Sequence, residues 1–356
     1  MRNPFAIAAA IAAVAAVLVP SLHFHLRGAA AEPPVPTDRQ NASPISALAF
    51  SPDGSALVSN GPRSITIRSA DGKTVVKQWD CPWPKITALR FDPTGRRLGV
   101  VGGTPGEHGE ALVLAWPEGA PVFQARLAGD LAMGLDFSPD GRRMVVAGAN
   151  HLALVWNLPA DEPGGNTTPV TNPPPVFTLA GHAGPVLATA WDPADGLIAT
   201  ASADRSIKIW STADGHLLRS FNQHTEPPNA LAFRPRRPDS EPGTPSVCAS
   251  GGDDRTVRIW QPGVGRMVRI VRNHGQSSIL ALAWAPDGAS LFTSGSDGRL
   301  RRVDADSDAV LAEWPGHPDW ILALTVSRDG SRLATGDASG MVRVWTSKGS
   351  VLVIVN

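Results

Sequence analysis

From about residue 44 onward the chain alternates short apolar runs with Gly, Asp, Pro and Ser, and one arrangement keeps returning. An apolar stretch ends in an aromatic residue and is followed by one polar residue, a proline and a turn. ALAFSPDG begins at Ala47, ALRFDPTG at Ala88, GLDFSPDG at Gly134 and ATAWDPADG at Ala188. ALAFRPRR begins at Ala230, ALAWAPDG at Ala281 and a weakened ALTVSRDG at Ala323. Aligned on the last apolar position (Phe50, Phe91, Phe137, Trp191, Phe233, Trp284, Val326), successive copies lie 41 to 54 residues apart. Runs this short, rich in Val, Ile, Leu and Trp and bounded by turn formers, predict strands rather than helices. In the sixth unit ILALAW, SLFTSG, RLRRVD and VLAEWPGH supply four strands in succession. A period in the forties with four strands per unit predicts an all-β array, and seven units close best into a ring because a ring leaves no exposed terminal sheet.

The first residues follow a different pattern. Arg2 precedes an uncharged Ala-rich run from Phe5 to Val19, and small residues stand at Ala29 to Ala31. That layout predicts a hydrophobic helix over 1–31, either an export signal or an uncleaved membrane anchor. Residues 32–44 are Pro-rich and polar, the composition of an extended spacer, and residues 45–356 hold the repeats. His23 and His25 fall at the end of the apolar run, where the lipid–water boundary would lie.

The units carry a second motif. Gly181-His182, Asp204 and Trp210 mark the fourth, and His224, Asp254 and Trp260 the fifth. The sixth keeps His274 and Asp297 with Val303 in the Trp place; the seventh keeps Gly316-His317 and Trp345 with Ser339 in the Asp place. The third has Trp156 with Asn150 for Asp, and the first two are degenerate, with Arg68 and Trp116 near the Trp position. With these features residues 45–356 resemble the WD-repeat family of β-propellers, in which a Gly-His precedes the first strand, an Asp sits in the turn between the second and third, and a Trp ends the third. The resemblance implies a seven-bladed propeller in which His, Asp, a Ser or Thr and Trp form a hydrogen-bonded strut. In the fourth unit Ser202 or Thr200 would supply the hydroxyl. It also implies a non-enzymatic scaffold for other proteins or peptides, monomeric and without a cofactor.

His, Ser and Asp also compose a hydrolytic triad. A catalytic set should occur once, in a pocket, whereas this one recurs with its Trp, so a structural role is expected. The rival expectation is an extracytoplasmic propeller enzyme or a small-ligand sensor using the central channel. The inner strands carry few acids, Asp136 being the one close by.

Charge and composition narrow the partners. Lys plus Arg and Asp plus Glu each total 32, so no global field draws the chain to nucleic acid. Arg205, Arg255 and Arg299 follow the turn aspartates and are candidates for a basic arc reading acidic peptides. Insertions at 102–110, 159–175 and 234–246 are candidate binding loops or spacers. Glu107, His108 and Glu110 have no specific metal-ligand spacing, and Asn166-Thr167-Thr168 fits a glycosylation sequon. Cys81 and Cys248, without a neighbouring ligand pair, are expected as buried thiols, with a disulfide as the alternative. After Trp345, SKGSVLVIVN offers an outer strand for the last blade, leaving ring closure to packing between first and last blades.

Overall fold

A computed structural model describes residues 43–160, 168–194, 196–237, 241, 243–272 and 274–355. The expected N-terminal helix, the spacer up to residue 42 and the sequon's Asn166 lie outside the described residues, among which no helix is long and apolar enough to cross a membrane.

Seven sheets are arranged as seven blades, each built of four antiparallel strands that pair in sequence order. The innermost strands are Leu48–Phe50, Lys85–Phe91, Ala132–Phe137, Val186–Trp191, Pro228–Phe233, Ile279–Trp284 and Ile321–Val326. They are the apolar runs of the repeat. Each packs on the inner strand of the next blade, and the last packs on the first, so the ring is closed. Buried apolar clusters lie between adjacent blades; one contains Val145, Val155, Leu179, Trp191, Ile198 and Trp210.

The turn after each inner strand is built locally. In blade 1 the Gly54 N–H donates to the Ser51 carbonyl (2.8 Å) and the Ala56 N–H to the Ser51 hydroxyl (2.9 Å). Gly54 has φ +71°, a left-handed value that costs a Cβ-bearing residue about 1–2 kcal/mol, which explains the repeated Pro-Asp-Gly. At the opposite end, the residue before the inner strand accepts a backbone hydrogen bond from the turn between the second and third strands. Ala149 to Leu131, Ala203 to Pro185, Asp253 to Pro227, Ser296 to Ser278 and Ala338 to Trp320 all have this bond, at 2.8–3.1 Å.

Two features depart from simple repetition. The insertion expected at 102–110 is not a loop but a lengthened hairpin, strands Arg97–Thr104 and His108–Ala115. Within 159–175, Val170–Thr171 pairs parallel with Pro121–Ala128, adding a fifth strand to blade 2.

Closure follows the C-terminal pattern. Val351–Val355 is the outer strand of blade 7, and blade 1 uses its own outer strand, Val75–Asp80. The seam is held by the Ile45 N–H donating to the Asp337 carbonyl (3.0 Å) and by Ile45, Leu48 and Phe50 packing with Ala323, Ala334 and Val344. Gly336 is required there, because a Cβ would fall on Ile45.

Candidate functional site

The recurring polar set forms struts. In blade 4, His182 Nδ1 meets Asp204 Oδ2 at 2.9 Å and Nε2 meets Thr200 Oγ1 at 2.8 Å. The Trp210 indole N–H donates to the same Thr200 hydroxyl at 2.8 Å. Ser202 does not join this chain: its hydroxyl donates to the Gly184 carbonyl and accepts from the Asp204 N–H. Blade 5 repeats the arrangement with His224, Asp254, Ser250 and Trp260 at 2.7–2.9 Å. Blade 7 uses His317, Thr335 and Trp345, but its carboxylate is Asp337, 2.7 Å from Nδ1. Ser339, expected in the Asp place, instead donates its hydroxyl and N–H to Asp337. The acid has moved from the turn to the end of the second strand and still reaches the histidine.

Burial raises the pKa of Asp204, Asp254 and Asp337, but hydrogen bonds from the histidines, neighbouring hydroxyls and backbone N–H groups outweigh it and hold all three below the ordinary carboxylate range. Thr200, Ser250 and Thr335 are fully buried. A hydroxyl sealed under an indole and bonded to both neighbours meets no substrate, so these sets brace the blades.

Blade 6 is built differently. Val303 fills the Trp position, pairing with Leu291 as Trp210 pairs with Ile198. His274 Nε2 meets Thr293 Oγ1 at 2.7 Å, but Arg301 stands between the histidine and Asp297. Arg301 gives Nη1 to His274, Nη2 to Asp297 and Nε to Glu313. Burial first, then the Arg301 charge, pulls the His274 pKa down to about 4. In the degenerate blades, Arg68 takes the Trp register opposite Leu57, and in blade 2 that register belongs to Leu114. Trp116 instead lies edge-on to Phe91 and Trp79.

The three candidate arginines divide. Arg205 and Arg255 are exposed at left-handed turn positions, φ 69° and 66°. Arg205 reaches the Thr225 carbonyl (3.4 Å) and Arg255 the Gln276 side chain, each in the following blade's His loop. Arg299 is ion-paired with Glu313 on the outer strand of its own blade, which takes it out of an arc with the other two. Glu107, His108 and Glu110 cluster in the long hairpin of blade 2, with His108 Nε2 3.4 Å from Glu110, and no group among the described residues has a metal-holding arrangement. Cys81 and Cys248 are free and buried, burial raising both thiol pKa values.

One surface residue escaped the sequence pattern. Trp320 is 40% exposed and is the only exposed tryptophan among the described residues. Its bond with Ala338 puts it on the face of the turns that carry Arg205 and Arg255, immediately before the inner strand of blade 7. Pro185 and Pro227 hold the corresponding place in blades 4 and 5. The available signal was a Trp that ends no strand, in His-Pro-Asp-Trp.

The family described as WD domain, G-beta repeat matches residues 173–211, 215–261, 265–304 and 309–346. Each match runs from the outer strand of one blade through the third strand of the next, and together they cover the blades in which the His and Trp motif is best kept. The chain belongs to the WD-repeat family. This WD-repeat protein is 32% identical to human WD repeat-containing protein 90 over 43% of its own length and 9% of that protein's. It is 26% identical to human angio-associated migratory cell protein over 58% of its length and 47% of the relative's. With the target of rapamycin complex subunit LST8 of Saccharomyces cerevisiae the figures are 27%, 49% and 57%. The chain thus spans less than two thirds of each of these relatives. WD-repeat propellers generally bind other proteins, and the last relative is by its name a subunit of a complex.

Proposed function

We propose that this WD-repeat protein is a non-enzymatic protein-interaction platform that receives its partner on the face of the His and Asp turns. The observation that carries this reading is Trp320. An exposed indole on a rigid rim buries a large area at low entropic cost, and tryptophan and arginine dominate binding hot spots. Arg205 and Arg255 share that face and keep left-handed backbones where blade 6 has Gly298, a strain that a contact role accounts for. They suit an acidic partner segment; Arg299 contributes less because Glu313 neutralises it. Residues 1–31 would anchor or export the propeller, placing this face outside the cytoplasm.

The test is affinity capture of crosslinked partners by the full chain from its native cells, beside W320A and R205E/R255E variants. Loss of the same partners from both variants at unchanged thermal stability is the expected result. Retention of every partner by both would overturn the assignment of this face. Fractionation tests the location: recovery from membranes or the exported fraction supports it, and recovery from the cytosol alone refutes it.

A further inference from the structure

The channel through the ring holds a cavity of about 820 Å³ that extends to the turns following the inner strands, the face opposite Trp320. Its rim is a ring of prolines. Pro52, Pro93, Pro139, Pro193 and Pro235 line it, one from each of five blades, while in blade 7 the proline's place belongs to Arg328. Arg236, next to Pro235, also lines the cavity, and the walls are the inner strands, with Ala, Leu, Phe and Trp among the lining residues.

Among the described residues the charges of this cavity are not balanced. Its only lining carboxylates among the described residues are Asp92 and Asp136, both buried and already satisfied. Asp92 accepts from the Arg97 N–H and the Thr94 hydroxyl. Asp136 accepts from Arg90 Nε (2.7 Å) and from the Trp191 and Phe137 N–H groups (2.8 Å each). Asp53, Asp140 and Asp329 belong to turns of the same face, but each accepts hydrogen bonds within its own turn and none lines the cavity. Arg236 and Arg328, by contrast, are exposed and have no hydrogen-bond or ion-pair partner among the described residues. A concave chamber of several hundred cubic ångströms that mixes apolar side chains with polar groups has the form of a site for a small amphiphilic molecule.

We propose that this channel mouth binds an amphiphilic organic anion, its apolar body against the proline ring and inner strands and its acid head on Arg236 and Arg328. The site is independent of the protein-binding face, since neither shares a residue with the other. A carboxylate and a phosphate monoester present the same head chemistry to a guanidinium.

Anilinonaphthalene sulfonate, itself an amphiphilic anion, is the probe. Trp191 and Trp284 line the cavity, so binding there is read as energy transfer from tryptophan to the dye in the full chain. The expected result is one saturable site, displaced by decanoate or decyl phosphate but not by equimolar 1-decanol; whichever acid displaces at lower concentration identifies the preferred head. R236Q/R328Q, at unchanged melting temperature, is expected to weaken binding about tenfold or more, as for loss of charge-assisted hydrogen bonds. R205E/R255E, on the other face, should leave it unchanged. Absence of a saturable site, displacement by decanol as effective as by decanoate, or undiminished affinity in R236Q/R328Q would each overturn the proposal.

Discussion

Arg301 donates a hydrogen bond from Nη1 to His274 Nδ1 across 2.9 Å, replacing the carboxylate that meets the equivalent histidine in blades 4, 5 and 7. A guanidinium can only donate, so Nδ1 carries no proton and Nε2–H donates to Thr293. The imidazole is therefore held neutral. Its pKa falls from an ordinary 6.5 to about 4, so its contribution to stability is complete above pH 6.5 and is lost as pH drops towards 4. The carboxylates facing the pair, Asp297 and Glu313, have lowered pKa values and stay ionised across most of that window. Chemical denaturation between pH 7 and 4 should show a loss of up to about 3 kcal/mol from this group, and H274Q should remove that part of the slope.

The strut hydroxyl of blade 4 belongs to Thr200. Thr200→Val preserves shape but leaves the Trp210 N–H and a His182 ring nitrogen buried without partners, an expected cost of about 3 kcal/mol. Ser202→Ala removes only local turn bonds and should cost about 1 kcal/mol. Urea midpoints of the two variants decide between them, and equal losses would contradict the assignment.

In blade 7 the acid is Asp337. Asp337→Ala strips a bond from His317, Ser339 and Met341, whereas Ser339→Ala strips one hydroxyl donor. The first should destabilise by about 3 kcal/mol and the second by about 1 kcal/mol or less, measured the same way.

The seam between blades 1 and 7 depends on Gly336 lying against Ile45. Gly336→Ala should cost about 1–3 kcal/mol by overpacking. Hydrogen exchange should then rise first at residues 45–80 and 346–355, since among the described residues no strand passes between these two blades to lock them. Uniform exchange across all blades would argue against a weak seam.

Arg205 and Gly298 occupy equivalent left-handed turn positions, φ 69° and 68°. Arg205→Gly should be neutral or stabilise by up to about 1 kcal/mol, because the backbone strain is released. Gly298→Ala should cost about 2 kcal/mol or more, because a Cβ there also collides with the His317 carbonyl. Thermal melts of both variants test the pair.

Where the rules are local, the chain was readable. Apolar runs ending just before a turn, Pro-Asp-Gly or a variant of it, placed every inner strand, and the C-terminal run placed the outer strand of blade 7. The site was less legible. Thr200 and Ser202 are two apart on one strand and share a face, so parity cannot separate them; a Ser or Thr four residues before the turn acid, as in Thr200, Ser250 and Thr293, was the clue. Arg299 pairs with Glu313 only because the third and fourth strands of its blade lie side by side.

The sequence by itself determined the all-β class, the seven units, their turns and the His and Trp positions, because hydrophobic period and turn chemistry act over a few residues. Only the tertiary structure decided which acid meets His317, which cation meets His274, that Trp320 stays exposed, and that Arg236 and Arg328 stand on one cavity without a partner among the described residues. Each of these depends on side chains brought together from different strands or blades, and their distance and burial exist only once the ring has closed.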